Sequence, residues 1–181
     1  IEEFPFLETF EGLELTCWVN PANDWQVLNS PSSAYEGTYM LYNYMNGLVA
    51  ANSYIISPEI IVPSDAEDLE LSWFAQIRGN YSSQSHGSFE VLISGDASTT
   101  IDDSYTTVLV VDSIFNFNFL RYSVLLDEYA GQTIRVAFHH TTPAYGNSSY
   151  WREFYIDNLA IHNANMPVAR IGRYSYREGH S

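Results

Sequence analysis

The stretch Phe154-Tyr155-Ile156-Asp157-Asn158-Leu159-Ala160-Ile161-His162 decides how this chain folds. Bulky and β-branched apolar residues fill both parities, the pattern of a β-strand covered on its two faces. Such a strand belongs in the middle of a two-layer structure. Asp157 shares its parity with Tyr155, Leu159 and Ile161, so a carboxylate stands in a core row. An unpaired buried carboxylate is costly, which leaves three accommodations: exposure at a strand end, hydrogen bonding, or a bound cation.

Upstream, the same period recurs. In Leu69-Glu70-Leu71-Ser72-Trp73-Phe74-Ala75-Gln76-Ile77 every odd position is apolar and the even ones are mostly polar. Residues 37–44, 53–61, 89–94, 106–111, 120–126 and 133–140 also read as strands. The alternation turns Leu120, Tyr122, Val124 and Leu126 inward, and likewise Ile134, Val136 and Phe138. Residues 4–10 place Phe4, Phe6, Phe10 and Glu8 on one face, with Pro5 marking an edge or strand start. Residues 11–36 read as a long loop anchored by Trp18, Trp25 and Val27. No segment shows the spacing of a long helix. The fold class is therefore all-β, an antiparallel β-sandwich, as one domain over residues 1–162. Residues 163–181 form a polar tail with three of the seven arginines, read as a linker or partly an expression remnant outside the fold.

The chain has 181 residues, 22 acids, seven arginines and no lysine, for a net charge of −15. That balance excludes nucleic acid and anionic membrane surfaces, both of which need a basic partner. Cys17 is the only cysteine, so no intrachain disulfide forms, and beside Trp18 it reads as a small packed residue. No apolar run approaches the ~18 residues of a membrane span, so no membrane insertion is expected. The chain opens at Ile1 in strand-like sequence, as an excised mature piece would.

No catalytic motif is present: there is no Gly-x-Ser-x-Gly elbow, phosphate-cradling glycine loop or His-Glu-x-x-His. His139 and His140 are adjacent on a strand and point to opposite faces, so one metal cannot easily use both. The expectation is no enzyme; a glycoside hydrolase would need two carboxylates roughly 5–10 Å apart in a cleft. Glu8, Glu11 and Asp157 lie on the first and last strands, which meet in many antiparallel sandwiches, and such hard oxygen ligands suit calcium. Equally, all three serve as ordinary carboxylates at exposed strand ends. Tyr81, Tyr145 and Trp151 stand beside Asn, Ser and Gly in loops, as do Tyr42, Tyr44, Tyr105 and Tyr150. Such aromatic faces suit sugar rings and protein hot spots alike, and equally the half-buried faces of a sandwich.

Several segments resemble, in kind and order, the cleaved-adhesin domains of bacterial gingipains and haemagglutinins. They are Glu8-Thr9-Phe10-Glu11, Asn52 to Pro58, Leu69 to Ala75, Phe89 to Ser94, Gly131 to His140 and Tyr155-Ile156-Asp157-Asn158-Leu159. The MAM domains of animal cell-surface proteins are similar, their Phe-Glu near the start and Asp-Asp-Ile near the end corresponding to Phe10-Glu11 and Asp157-Asn158-Leu159; Asn158 departs from an acid there. The resemblance spans residues 4–162. It implies a jelly-roll with structural calcium where the first and last strands join, held by Glu11 and Asp157 with Glu8 as a third. It further implies a secreted or cell-surface bacterial module, tethered to other domains of a longer chain. Its partner would be a host or environmental protein or a glycan. The expected function is thus a non-catalytic adhesion module; the alternative is a carbohydrate-binding module attached to a glycosidase or protease.

Overall fold

The computed structural model describes residues 1–80, 88–112, 116–147 and 149–165. Among the described residues eleven strands run in chain order: β1 Phe6–Glu8, β2 Trp25–Asn29, β3 Tyr39–Asn46, β4 Ala51–Ile56, β5 Ile60–Ile61, β6 Leu69–Gly79, β7 Ser88–Ser94, β8 Tyr105–Asp112, β9 Asn116–Leu125, β10 Thr133–Thr142 and β11 Trp151–Asn163. A 3₁₀ turn at Asp127–Tyr129 joins β9 to β10. Every pairing between strands is antiparallel.

Two sheets form a jelly-roll sandwich. One has the order β2-β3-β11-β6-β9, with β1 also on β11; the other is β4-β10-β7-β8, with β5 on β10. The opening stretch lies in β11, the centre of the first sheet, and Phe154 to His162 are all buried, as its filled parities require. On one side β11 pairs with β6 along its length. On the other, β3 covers Trp151 to Ile156 and β1 covers Leu159 to Ile161. Asp157 and Asn158 therefore sit where β11 exchanges one partner for another. There the β6 register slips between Asp157 and Ala160, and Asn158 takes a left-handed backbone at φ 47°. Asparagine tolerates that region better than most residues.

The core fills the space between the sheets, and the odd positions of β6 from Leu69 to Ile77 all point into it. Trp73 meets Phe138 edge-on at 5.5 Å, Phe138 stacks on Phe89 at 6.0 Å, and Phe89 stacks on Phe154 at 4.9 Å. Each such side chain contributes about 1.5–3 kcal/mol by leaving water.

The structure corrects three readings. Trp25–Asn29 is a strand inside the region read as loop, because Trp25 is buried while its backbone pairs with β3. Cys17 is exposed and not packed. Leu120 keeps the inward parity, opposite buried Ala75, and is 46% exposed because β9 is the edge strand of its sheet. Only Phe6–Glu8 of residues 4–10 is strand; Phe10 ends the run with φ 59°. Of the tail, Ala164 donates its N–H to the Asp68 carbonyl, and residues 166–181 lie outside the described residues.

Candidate functional site

Asp157 is fully buried, and hydrogen bonding accommodates it; exposure at a strand end does not. Its Oδ2 accepts the backbone N–H groups of Tyr35 and Glu36, both at 3.1 Å, and its Oδ1 accepts that of Asn158 at 2.8 Å. Burial nonetheless pushes the carboxyl up to about 7; the three N–H groups pull against this, and the charge of Glu11 adds to it. Glu11 grips the same segment: its Oε1 accepts from Thr38 N at 2.7 Å and Tyr39 N at 2.8 Å. Between these grips Gly37 has φ 71°, and a Cβ there would collide with Glu11 Oε1. Asn158 completes the cluster. Its Nδ2 donates to Glu36 Oε2 at 2.8 Å, while its Oδ1 is buried with no hydrogen-bond partner.

Glu11 and Asp157 are thus brought together around residues 35–39. Glu8 instead accepts the N–H of Phe10 at 2.7 Å, and burial raises its carboxyl above the ordinary range. Among the described residues no three His, Cys, Asp or Glu side chains converge as a metal cage. Carbonyl and amide oxygens also ligate calcium, and an orphan amide oxygen beside two carboxylates is the donor chemistry it takes.

A second constellation occupies the outer face of the same sheet. Along β11, Arg152, Phe154 and Ile156 turn inward, so Trp151, Glu153 and Tyr155 turn outward. Tyr155 is in register with Tyr42 on β3 and Gln76 on β6; Glu153 is in register with Tyr44 and Arg78. Both phenols donate to one carboxylate: Tyr42 OH to Glu153 Oε1 at 3.0 Å and Tyr155 OH to Oε2 at 2.7 Å. The two rings lie 5.2 Å apart, tilted by 43°, and the Arg78 guanidinium sits 4.9 Å above Tyr155. Burial first, then the Glu153 charge, holds both phenols above their ordinary range, so they keep their protons at neutral pH. Tyr44 is 45% exposed beside them. Further along, Phe74 carries a stacked Tyr35 at 3.8 Å, with Phe119 against Tyr35 at 5.7 Å.

Trp151, one of the expected ligand residues, stands partly exposed at the end of this face, two residues from Glu153. Tyr145 does not join it: its ring packs against Tyr150 at 5.6 Å and its hydroxyl is buried. Tyr81 lies outside the described residues. Glu153, Tyr155, Arg78 and Gln76 were not singled out from the sequence. The signal present was the alternation Trp151-x-Glu153-x-Tyr155, a polar and aromatic row on a central strand. His139 and His140 point to opposite faces, His139 toward Glu90 and Asn52 and His140 into the core.

No family model matches this chain, and no curated protein does. Among solved structures, the chain is similar to a family 61 carbohydrate-binding module in complex with β-1,4-galactotriose, TmCBM61. The TM-score is 0.59 at 11% identity, covering 86% of this chain and 94% of that one. It is also similar to the C-terminal family 22 carbohydrate-binding module of Clostridium thermocellum Xyn10B. There the TM-score is 0.52 at 19% identity, covering 90% and 95%. A third match, from the same organism, is a two-module chain of a family 22 module and a xylanase complexed with xylohexaose. It aligns with TM-score 0.54 and 14% identity over 86% of this chain and 28% of that chain. At such identities these neighbours establish the β-sandwich jelly-roll, and they lend no support to the cleaved-adhesin family in particular.

Proposed function

We propose that this chain is a non-catalytic carbohydrate-binding module whose ligand lies across the outer face of the β11 sheet. The observation that carries this reading is the Glu153 carboxylate held by Tyr42 and Tyr155 beside the exposed Tyr44. Because both phenols donate to Glu153, their oxygens and the remaining carboxylate lone pairs offer acceptors outward. Sugar hydroxyls supply the matching donors, and the apolar face of a sugar ring stacks on tyrosine. The neighbours' fold supports the reading: two of them were solved with an oligosaccharide, and one is joined to a xylanase. The module would be secreted or surface-exposed on a longer bacterial chain. The adhesin reading, with a protein partner, would use the same face and differs in the nature of the partner.

The test is affinity electrophoresis and calorimetry on soluble β-linked polysaccharides, with Glu153→Gln as the variant. Binding should appear in wild type and fall about ten-fold in the variant, close to 1.4 kcal/mol. A panel without any binder, alongside capture of a protein ligand, would favour adhesion instead.

Calcium forms a second part of the proposal. Glu11, Asp157 and the Asn158 amide oxygen would hold the ion, with a backbone carbonyl of residues 36 or 37. Its charge would offset the burial that raises Asp157, and it would fix the crossover of β11. The orphan Asn158 Oδ1 supports this assignment. Glu8, bound within its own turn, is left out of the set.

A further inference from the structure

His140 belongs to β10, in the sheet opposite the candidate face, yet its side chain crosses the core to the two strands that build that face. It is fully buried; its Nδ1 lies 2.9 Å from Asn43 Oδ1, and its ring stands edge-on to Phe154 at 3.8 Å. Asn43 and Phe154 are direct register partners on β3 and β11. Asn43 uses its Nδ2 on the Asp24 carbonyl at 3.0 Å and on Ser53 Oγ of β4 at 3.2 Å. Its Oδ1 is therefore an acceptor, and His140 must present Nδ1–H to it. That leaves Nε2 as a buried acceptor without a hydrogen-bond partner.

Alternation gives this arrangement its consequence. Asn43 lies between Tyr42 and Tyr44, and Phe154 lies between Glu153 and Tyr155. Each inward side chain that His140 touches is flanked by two residues of the outward face.

We propose that His140 is a positioning residue for the glycan-binding face: by holding Asn43 and Phe154 it sets the mutual placement of Tyr42, Tyr44, Glu153 and Tyr155. The inference rests on the glycan-binding reading. The Nδ1–H donation survives protonation of Nε2, so what acid changes is the charge of the buried ring. The groups around it are the buried Arg152 on β11, Asn43 on β3, Ser53 on β4 and Asp24, which reaches Asn43 through its backbone carbonyl; His139 faces away. Burial, with the charge of Arg152, keeps His140 well below the ordinary histidine range. A proton on Nε2 would put a second cation into the core beside Arg152, and the cost of burying that charge drives the ring away from Asn43 and Phe154, so acid loosens the face and with it the ligand. Asp157 acts with the opposite sign, since its raised pKa favours folding as the pH falls, and cannot produce the same effect.

The test compares His140→Gln and His139→Gln with wild type, following glycan affinity from neutral pH down to the lowest pH at which circular dichroism shows the sandwich folded. Glutamine donates an N–H to Asn43 without titrating. Wild type and His139→Gln should lose at least about ten-fold in affinity across this range. His140→Gln should keep neutral-pH affinity and lose that acid limb, which separates it from protonation of Glu153. An unchanged acid limb in His140→Gln, or none in wild type, overturns the proposal. Should His140→Gln fail to fold, the wild-type tyrosine NMR signals decide without ligand. Tyr42 and Tyr155 should move together with His140 protonation, and a His140 titration that leaves them still overturns it. A wild type that binds no glycan at neutral pH removes the functional reading, while the tyrosine signals still decide the hold.

Discussion

Tyr35 is held to Asp157 by its backbone N–H at 3.1 Å while its ring stacks on Phe74 at 3.8 Å. One residue thereby connects the buried carboxylate at the β11 crossover to the aromatic outer face. The two constellations share a loop, so a change at one is expected to be read at the other.

Calcium should raise the melting temperature of wild type and EDTA should lower it, while Asp157→Asn abolishes the shift. Calorimetry with and without the ion checks this, and a wild type indifferent to both would remove the calcium assignment.

The metal-free protein should show an inverted pH dependence at this site. Asp157 has a folded pKa of about 7 against an ordinary 3.8, so folding retains a proton. Its contribution is fully present below the unfolded value and is lost as the pH rises through about 7. Urea titrations at several pH values should show this slope in wild type, and Asp157→Asn should flatten it.

Gly37→Ala should destabilise by about 1–3 kcal/mol, because its positive φ and the crowding by Glu11 act together. Chemical denaturation measures the loss. The variant should also weaken glycan binding, since the Glu11 and Asp157 grips lie on either side of residue 37.

Tyr42→Phe and Tyr155→Phe each remove one donor to Glu153 and should weaken glycan binding by roughly ten-fold, about 1.4 kcal/mol. The sandwich itself should stay intact by circular dichroism. An affinity equal to wild type in both variants would place the ligand elsewhere.

Phe138→Ala, by contrast, should cost about 3–5 kcal/mol of stability, because Phe138 joins Trp73 to Phe89 at the centre of the core. A loss below 1 kcal/mol in urea melts would contradict that packing.

The strands that the sequence displayed best were β6 and β11, whose apolar periods are long enough to stand alone. Leu120 has the inward parity that its alternation displayed, but its exposure follows from the place of β9 at the sheet edge, which no local pattern encodes. β2 was hidden because Trp25-Gln26-Val27-Leu28-Asn29 is short and lies among turn residues. Asp157 was legible as an anomaly, but its partners Tyr35 and Glu36 lie more than a hundred residues away in the chain. The Glu153 clamp escaped for a similar reason: Tyr155 is two residues on, whereas Tyr42 arrives only through the β3–β11 register.

The exchange of strand partners along β11 also brings the two ends of the sandwich together. Phe6 is in register with Ile161, so the segments leading into β1 and out of β11 run side by side at one end. Glu153 lies eight residues back along β11, roughly 25 Å away at about 3.3 Å per residue. The described residues on both sides of this junction therefore leave the sheet at the end away from the tyrosines.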